Sequence, residues 1–184
     1  LSTNAETQDL IDSIIRNYGG KMVIDADALR SIARVGLKNL KRLKGSFILT
    51  PHSGELSRLI DVPSKEIETN RVQVARDGAT TSEATIVLKG APTATGTSDG
   101  RVYLNSTGNP GMATVGSGDV LAGIIASLWA QGMEQEASAY SGVFLHGLAG
   151  DIARDAYGER SVVAQDLIDK LPTAIKAVEE QTAF

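Results

Sequence analysis

Behind Asn4, a side chain suited to cap a helix start, Leu10, Ile11, Ile14 and Ile15 recur at helical spacing, and Gly19-Gly20 closes the stretch. The next apolar runs are short and lack polar alternation. Met22-Val23-Ile24, Phe47-Ile48-Leu49 and residues 84–88 predict strands buried on both faces, the first of them too apolar for an exposed edge. Polar tips and helical stretches follow: Asp25-Ala26-Asp27 before residues 28–35, and Thr50-Pro51-His52-Ser53-Gly54-Glu55 before a helix over 55–60. Ser64 is a candidate cap for one helix running through Ile67, Val72 and Ala75. Repeated strand-to-helix turns with polar tips predict βα units. The segment 93–104 differs, because Thr95, Val102 and Leu104 flank the turn signal Ser98-Asp99-Gly100 as in a β-hairpin. Three helices are predicted beyond it, over 119–130, 134–157 and 163–178. Ser138, Gly142, Gly147 and Gly150 in the middle one permit close packing, within the chain or between subunits.

The fold class is therefore α/β, with buried parallel strands, an antiparallel hairpin toward the far edge and terminal helices. Ligands of such sheets bind beyond the C-terminal ends of the strands, where the polar tips fall. At 184 residues and 42% hydrophobic content the chain suits one domain with a real core. A net charge of -4 without long charge blocks disfavours a nucleic-acid partner, and the run from Lys38 to Lys44, interleaved with Leu40 and Leu43, reads as a solvated helix face. The chain has no cysteine, which excludes disulfides, thiolate chemistry and Cys-ligated zinc. No apolar run approaches the roughly 20 residues that span a bilayer, so the default expectation is a soluble, cytoplasmic protein.

Chemistry concentrates in Gly108-Asn109-Pro110-Gly111-Met112-Ala113-Thr114-Val115-Gly116-Ser117-Gly118-Asp119. Its four glycines let backbone N–H groups approach an anion at the start of an apolar helix. Asp119 suits two roles there, as a dipole-stabilised first-turn residue or as a base for a hydroxyl attacking phosphorus. The stretch is neither a Walker A motif nor a Rossmann fingerprint. Lys89, ending a strand before Gly90, could reach nucleotide phosphates or simply be solvated. His52 between Pro51 and Gly54 suits a hydrogen bond to substrate better than a metal, whereas His146 inside a helix suits packing or surface. Asp25 and Asp27 divide between capping and the pocket, and Glu55 between capping and support of the site.

In combination these blocks resemble the ADP/ATP-dependent NAD(P)H-hydrate dehydratases of the ribokinase-like superfamily. The resemblance rests on Val23 through Leu29, Leu49 through Glu55, Val87 through Thr93, and above all Gly108 through Thr114 running into Gly116-Ser117-Gly118-Asp119. It implies a three-layer fold and phosphorylation of the C6 hydroxyl of hydrated NADH or NADPH by ADP or ATP, after which phosphate is eliminated. In that scheme Asp119 is the base; His52, Asp119 and Asn109 contact the dinucleotide; and Lys89, Gly90, Ala91, Pro92, Thr93, Gly116, Ser117 and Gly118 contact the nucleotide. Magnesium is expected with the nucleotide, without an identifiable protein ligand, and a homo-oligomer is expected. Val115 stands where the family commonly has glycine, and restricts the backbone if φ > 0 is needed there. The family also has strands and glycine-rich contacts ahead of the point matching Leu1, so the chain reads as the C-terminal portion of one such domain, without the companion epimerase domain. Two alternatives stand beside this reading: a ribokinase-like kinase for a small alcohol or vitamin precursor, and a catalytically silent nucleotide-binding protein.

Overall fold

The computed structural model describes residues 4–182. Five strands form one sheet in chain order: β1 (Lys21–Ile24), β2 (Ser46–Leu49), β3 (Thr85–Leu88), β4 (Ala94–Gly96) and β5 (Val102–Leu104). The first three are parallel, with Met22 opposite Phe47 and Leu49 opposite Ile86. The last two form the antiparallel hairpin, Thr95 lying opposite both Val87 and Tyr103.

Strand side chains alternate between two helical layers, which is why the apolar runs lack polar alternation. Met22, Ile24, Phe47, Leu49 and Ile86 face a core completed by α1 (Ala5–Asn17), α2 (Leu29–Val35), the 3-10 turn Leu37–Arg42 and α5 (Arg71–Ser82). Leu88 and Ala94 continue that face against α3 (Ser53–Ile60) and α4 (Ser64–Thr69). Val23, Ile48 and Val87 face the opposite layer, built on α6 (Ser117–Ala130) and α7 (Gln135–Tyr157). Behind it, α8 (Ala164–Thr182) packs on α7 through Leu145, Ala149 and Ala174. Ile48, Leu49, Ile86, Val87 and Leu88 have no exposed surface, each burial stabilising by about 1.5–3 kcal/mol.

Several sequence expectations need correction. Strand β1 pairs only with β2 among the described residues, and of its apolar side chains, which face both helical layers, Ile24 is buried while Met22 and Val23 are half-buried. Ser64 is the first helical residue and not a cap, since Pro63 occupies the boundary position. The single helix predicted from there breaks at Asn70 (φ -120°, ψ 31°) into α4 and α5, which leaves Val72 exposed and turns Arg71 inward. The run 38–44 keeps its cations solvated and buries Leu40, but after Gly36 it is a 3-10 turn and not an α-helix. On α1, capped by Asn4, Ile11 and Ile15 are buried while Leu10 and Ile14 are exposed. Among the described residues, no helix is long and apolar enough to cross a membrane.

Candidate active site

The C-terminal ends of β1, β2 and β3 deliver Asp25, His52 and Lys89 to one edge of the sheet. Parallel pairing continues past the strands, with Lys89 N–H donating to Pro51 O at 2.8 Å and His52 aligned with Lys89. Lys89 Nζ lies 2.6 Å from Asp25 Oδ1 and 3.8 Å from Glu55 Oε2. All three side chains are four-fifths or more buried, so this pairing is less screened than a surface ion pair. Asp25 thus pairs with Lys89, while its neighbour Asp27 lies 3.7 Å from Arg30 and lines, with Arg30 and Glu55, a cavity on the other side of the turn.

His52 and Glu55 form a reciprocal cap on α3. His52 Nδ1 accepts from the N–H groups of Gly54 and Glu55, and Glu55 Oε2 accepts from His52 N–H. In the neutral ring this leaves the proton on Nε2, which lies 3.5 Å from Glu55 Oε1 on a side chain about half exposed. One Glu55 carboxylate thus caps the helix and lies beside Lys89.

After Lys89, Gly90 and Thr93 close a small loop, in which Thr93 Oγ1 accepts from Gly90 N–H and donates to Gly90 O. Gly90, Ala91 and Pro92 are exposed. The loop rests on Arg71, a buried cation that sequence reading missed because the expected helix placed Val72 inward. Its only signal was an arginine beside a helix-breaking asparagine.

The glycine-rich turn lies on α7. Gly108 (φ +101°) donates its N–H to Asp151 Oδ2 at 2.8 Å, and Asn109 Nδ2 donates to Asp151 Oδ1 at 3.0 Å. Asn109 Oδ1 in turn accepts from Gly111 N–H, so both polar ends of Asn109 shape the turn. Side chains at Gly147 and Gly150 would collide with Thr107 and Met112. A Cβ at Gly142 would lie 2.6 Å from Ile125 Cγ1, so these small residues serve packing within the chain. Asp151 was not singled out in sequence, because nothing local distinguishes it from other helix-face acids.

The turn ends at Gly116, whose left-handed backbone (φ +89°) starts α6. Val115 is 97% exposed and is not among the positive-φ residues, so a β-branched side chain fits there without strain. Ser117 is held from below by His146, whose Nε2 lies 3.0 Å from Ser117 O and 3.2 Å from its Oγ. Burial pushes the His146 pKa down to about 4, against the opposing hydrogen bond to Ser117 O, so the ring is neutral near pH 7. A Cβ at Gly118 would lie 3.5 Å from Lys89 Nζ and 3.6 Å from Asp25 Oδ2. This glycine therefore opens the start of α6 to the ammonium, which brings the two halves of the predicted site together. One residue on, Asp119 is exposed, and its carboxylate has no hydrogen-bond or ion-pair partner among the described residues.

A helix N-terminus facing a lysine can receive an anion, and a free carboxylate beside it can accept a proton. No group of three metal-ligating side chains occurs among the described residues. A magnesium ion carried by nucleotide phosphates needs only one or two protein carboxylates. Asp25, beside Gly118, is the carboxylate whose place fits that role.

The NAD(P)H-hydrate dehydratase family profile matches residues 1–173. A bifunctional NAD(P)H-hydrate repair enzyme of Moorella thermoacetica is 42% identical over 98% of this chain and 34% of its own length. An ADP-dependent (S)-NAD(P)H-hydrate dehydratase of Neisseria meningitidis is 41% identical over 86% of this chain and 54% of its own. The ADP/ATP-dependent NAD(P)H-hydrate dehydratase of Bacillus subtilis, co-crystallized with ATP and Mg2+, superposes with a TM-score of 0.85 at 30% identity, over 96% of this chain and 61% of that one. The chain thus spans between a third and just over half of these two curated relatives, and its fold is that of a ribokinase-like dehydratase. Since the profile covers nearly all of its sequence, this chain belongs to the NAD(P)H-hydrate dehydratase family.

Proposed function

We propose that this protein restores NADH or NADPH from their hydrates, with ADP or ATP as phosphoryl donor. The observation that carries the proposal is the free Asp119 carboxylate on the first turn of α6, one residue beyond the glycine that faces Lys89. In this reading Lys89, Gly90, Ala91, Pro92 and Thr93 and the Gly116-Ser117-Gly118 turn hold the nucleotide. His52 offers its Nε2–H to the hydrated dinucleotide, and Asn109 supports the substrate side by shaping the Gly108 turn.

Asp119 accepts the proton of the substrate hydroxyl as that oxygen attacks the terminal phosphorus. Lys89 and the backbone N–H groups at the start of α6 offset the charge that develops on the transferred group. Phosphorylation converts hydroxide, a poor leaving group, into phosphate; the C6–O bond then breaks with phosphate leaving, and loss of a proton from the adjacent ring carbon forms the double bond that restores the dihydronicotinamide. Magnesium, when bound with the nucleotide, supplies further charge neutralisation beside Asp25. Family membership favours this outcome over a small-alcohol kinase, which would use the same turn and stop at the phosphate ester, and over a silent binding protein.

Self-association and a cytoplasmic location belong to the same proposal. The exposed apolar side chains of Leu104, Met133 and Phe144 beside the groove between β5 and α7 support the former, and light scattering on the purified protein checks it. The activity is tested by incubating the protein with hydrated NADH and ADP or ATP while following dihydronicotinamide absorbance. Nucleotide-dependent recovery is expected. Phosphorylation of another alcohol without any recovery would reject the dehydratase reading.

A further inference from the structure

Arg71 is the one charged residue buried among the described residues, at 8% relative exposure, and it lies beneath the loop after β3. Its guanidinium donates from Nη2 to Leu88 O at 2.9 Å and from Nε to Pro92 O at 3.1 Å, bracketing Lys89 through Ala91 from both ends. Nη1 donates to Glu68 Oε2 at 2.6 Å, which neutralises the buried charge. The loop closes directly over this group. A Cβ at Gly90 would lie 2.6 Å from Arg71 Cζ, so a side chain there could not coexist with the guanidinium in its present place. Only the planar fork of arginine presents donors in several fixed directions; a lysine ammonium at the end of a flexible stem cannot reach both carbonyls and the carboxylate in one geometry.

We infer that Arg71 is a positioning residue for the phosphoryl-donor nucleotide: it holds the Lys89–Thr93 loop in its binding shape before any ligand arrives. The inference rests on the reading of that loop as a nucleotide contact. Because the clamp grips both ends of the loop, ordering cost is met in the fold and not at binding.

Arg71→Lys, made in the full chain, is the principal test. Three quantities are read: the nucleotide KM and directly titrated ADP affinity, the hydrated-dinucleotide KM, and amide hydrogen exchange of residues 88–94 without ligand. The expected result is at least about a tenfold rise in nucleotide KM and Kd, with the dinucleotide KM within about twofold. Exchange should quicken in 88–94 while β1 and β2 stay protected. Unchanged nucleotide affinity with unchanged loop exchange would overturn the inference. So would a uniform loss of both KM values with faster exchange across the whole sheet, because that describes a general fold defect. Should Arg71→Lys fail to fold, Glu68→Gln decides by the same readings: its half-exposed side chain spares the fold, while Arg71 loses the carboxylate charge that orients its guanidinium toward the loop. A threefold or larger selective rise in nucleotide KM is then expected, and no selective change overturns it. Exchange and ADP titration judge Arg71 even if the protein does not dehydrate the hydrate, so failure of the functional reading is told apart from failure of this one.

Discussion

Adding one methyl group at Gly118 separates the needs of the fold from those of the site. The Gly118→Ala Cβ would meet Lys89 Nζ at 3.5 Å and Asp25 Oδ2 at 3.6 Å, which is ordinary van der Waals contact, and the backbone there is helical. Alanine is favoured over glycine inside a helix by about 0.8–1 kcal/mol and by less in a first turn, so folding stability should hold or rise slightly. The nucleotide fares differently, because the methyl occupies the opening through which a phosphate would reach both the helix N-terminus and the ammonium. With an effective dielectric of about 20, a unit charge about 4 Å from the ammonium gains about 4 kcal/mol, and one about 1.5 Å farther out gains about 3. A phosphate carrying about two charges therefore loses at most about 2 kcal/mol, roughly thirtyfold in affinity, because Asp25 and Glu55 beside the ammonium offset part of its charge. Calorimetric titration with ADP reads the affinity and thermal unfolding reads the fold. An unchanged ADP affinity in a variant of unchanged Tm would refute the placement of the phosphate between Gly118 and Lys89.

Asp119→Asn should cut turnover by at least about a hundredfold with ADP affinity retained, and turnover near that of the wild type would remove the base role. His146 gives a pH signature: its folded pKa near 4 lies below the ordinary value of 6.5, so the unfolded chain binds the proton first and stability falls as pH drops from about 6.5 to 4. The loss amounts to about 3 kcal/mol, and His146→Gln should flatten it in urea midpoints measured across that window; an equal slope in the variant would assign the loss to other groups. Asp151→Asn sets an amide donor against either Gly108 N–H or the Asn109 amide, so it should lower stability by about 1–3 kcal/mol by urea unfolding, and an unmoved midpoint would show that the turn needs no anchor on α7.

The parts of the site carried by local chemistry were legible in sequence. Gly116, Ser117 and Gly118 before an apolar helix announce a glycine-opened helix start, and His52 after Pro51 announces a fixed side chain at a strand end. The structure brings Lys89, Gly118, Asp25 and Glu55 together at the edge where the strand tips pointed. Arg71 and Asp151 were not legible, since each acts on a segment far away in sequence: Arg71 on the carbonyls of Leu88 and Pro92, Asp151 on Gly108 and Asn109. The reading of Val72 as a core position failed for a related reason. Period alone cannot see that Asn70 breaks the helix and resets which residue faces inward.

The sequence by itself determined the βα order, the hairpin, the buried strands and the glycine-opened helix. Those depend on the period of apolar residues and on backbone freedom, which are properties of neighbours in the chain. Only the tertiary structure decided that β1 pairs only with β2 among the described residues, that Asp25 and not Asp27 pairs with Lys89, and that the small residues of α7 serve as a floor for the glycine-rich turn. Such choices rest on which remote groups come within a few ångströms of one another. Coulomb attraction, hydrogen bonding and steric exclusion act over that distance, and spacing along the chain does not encode it.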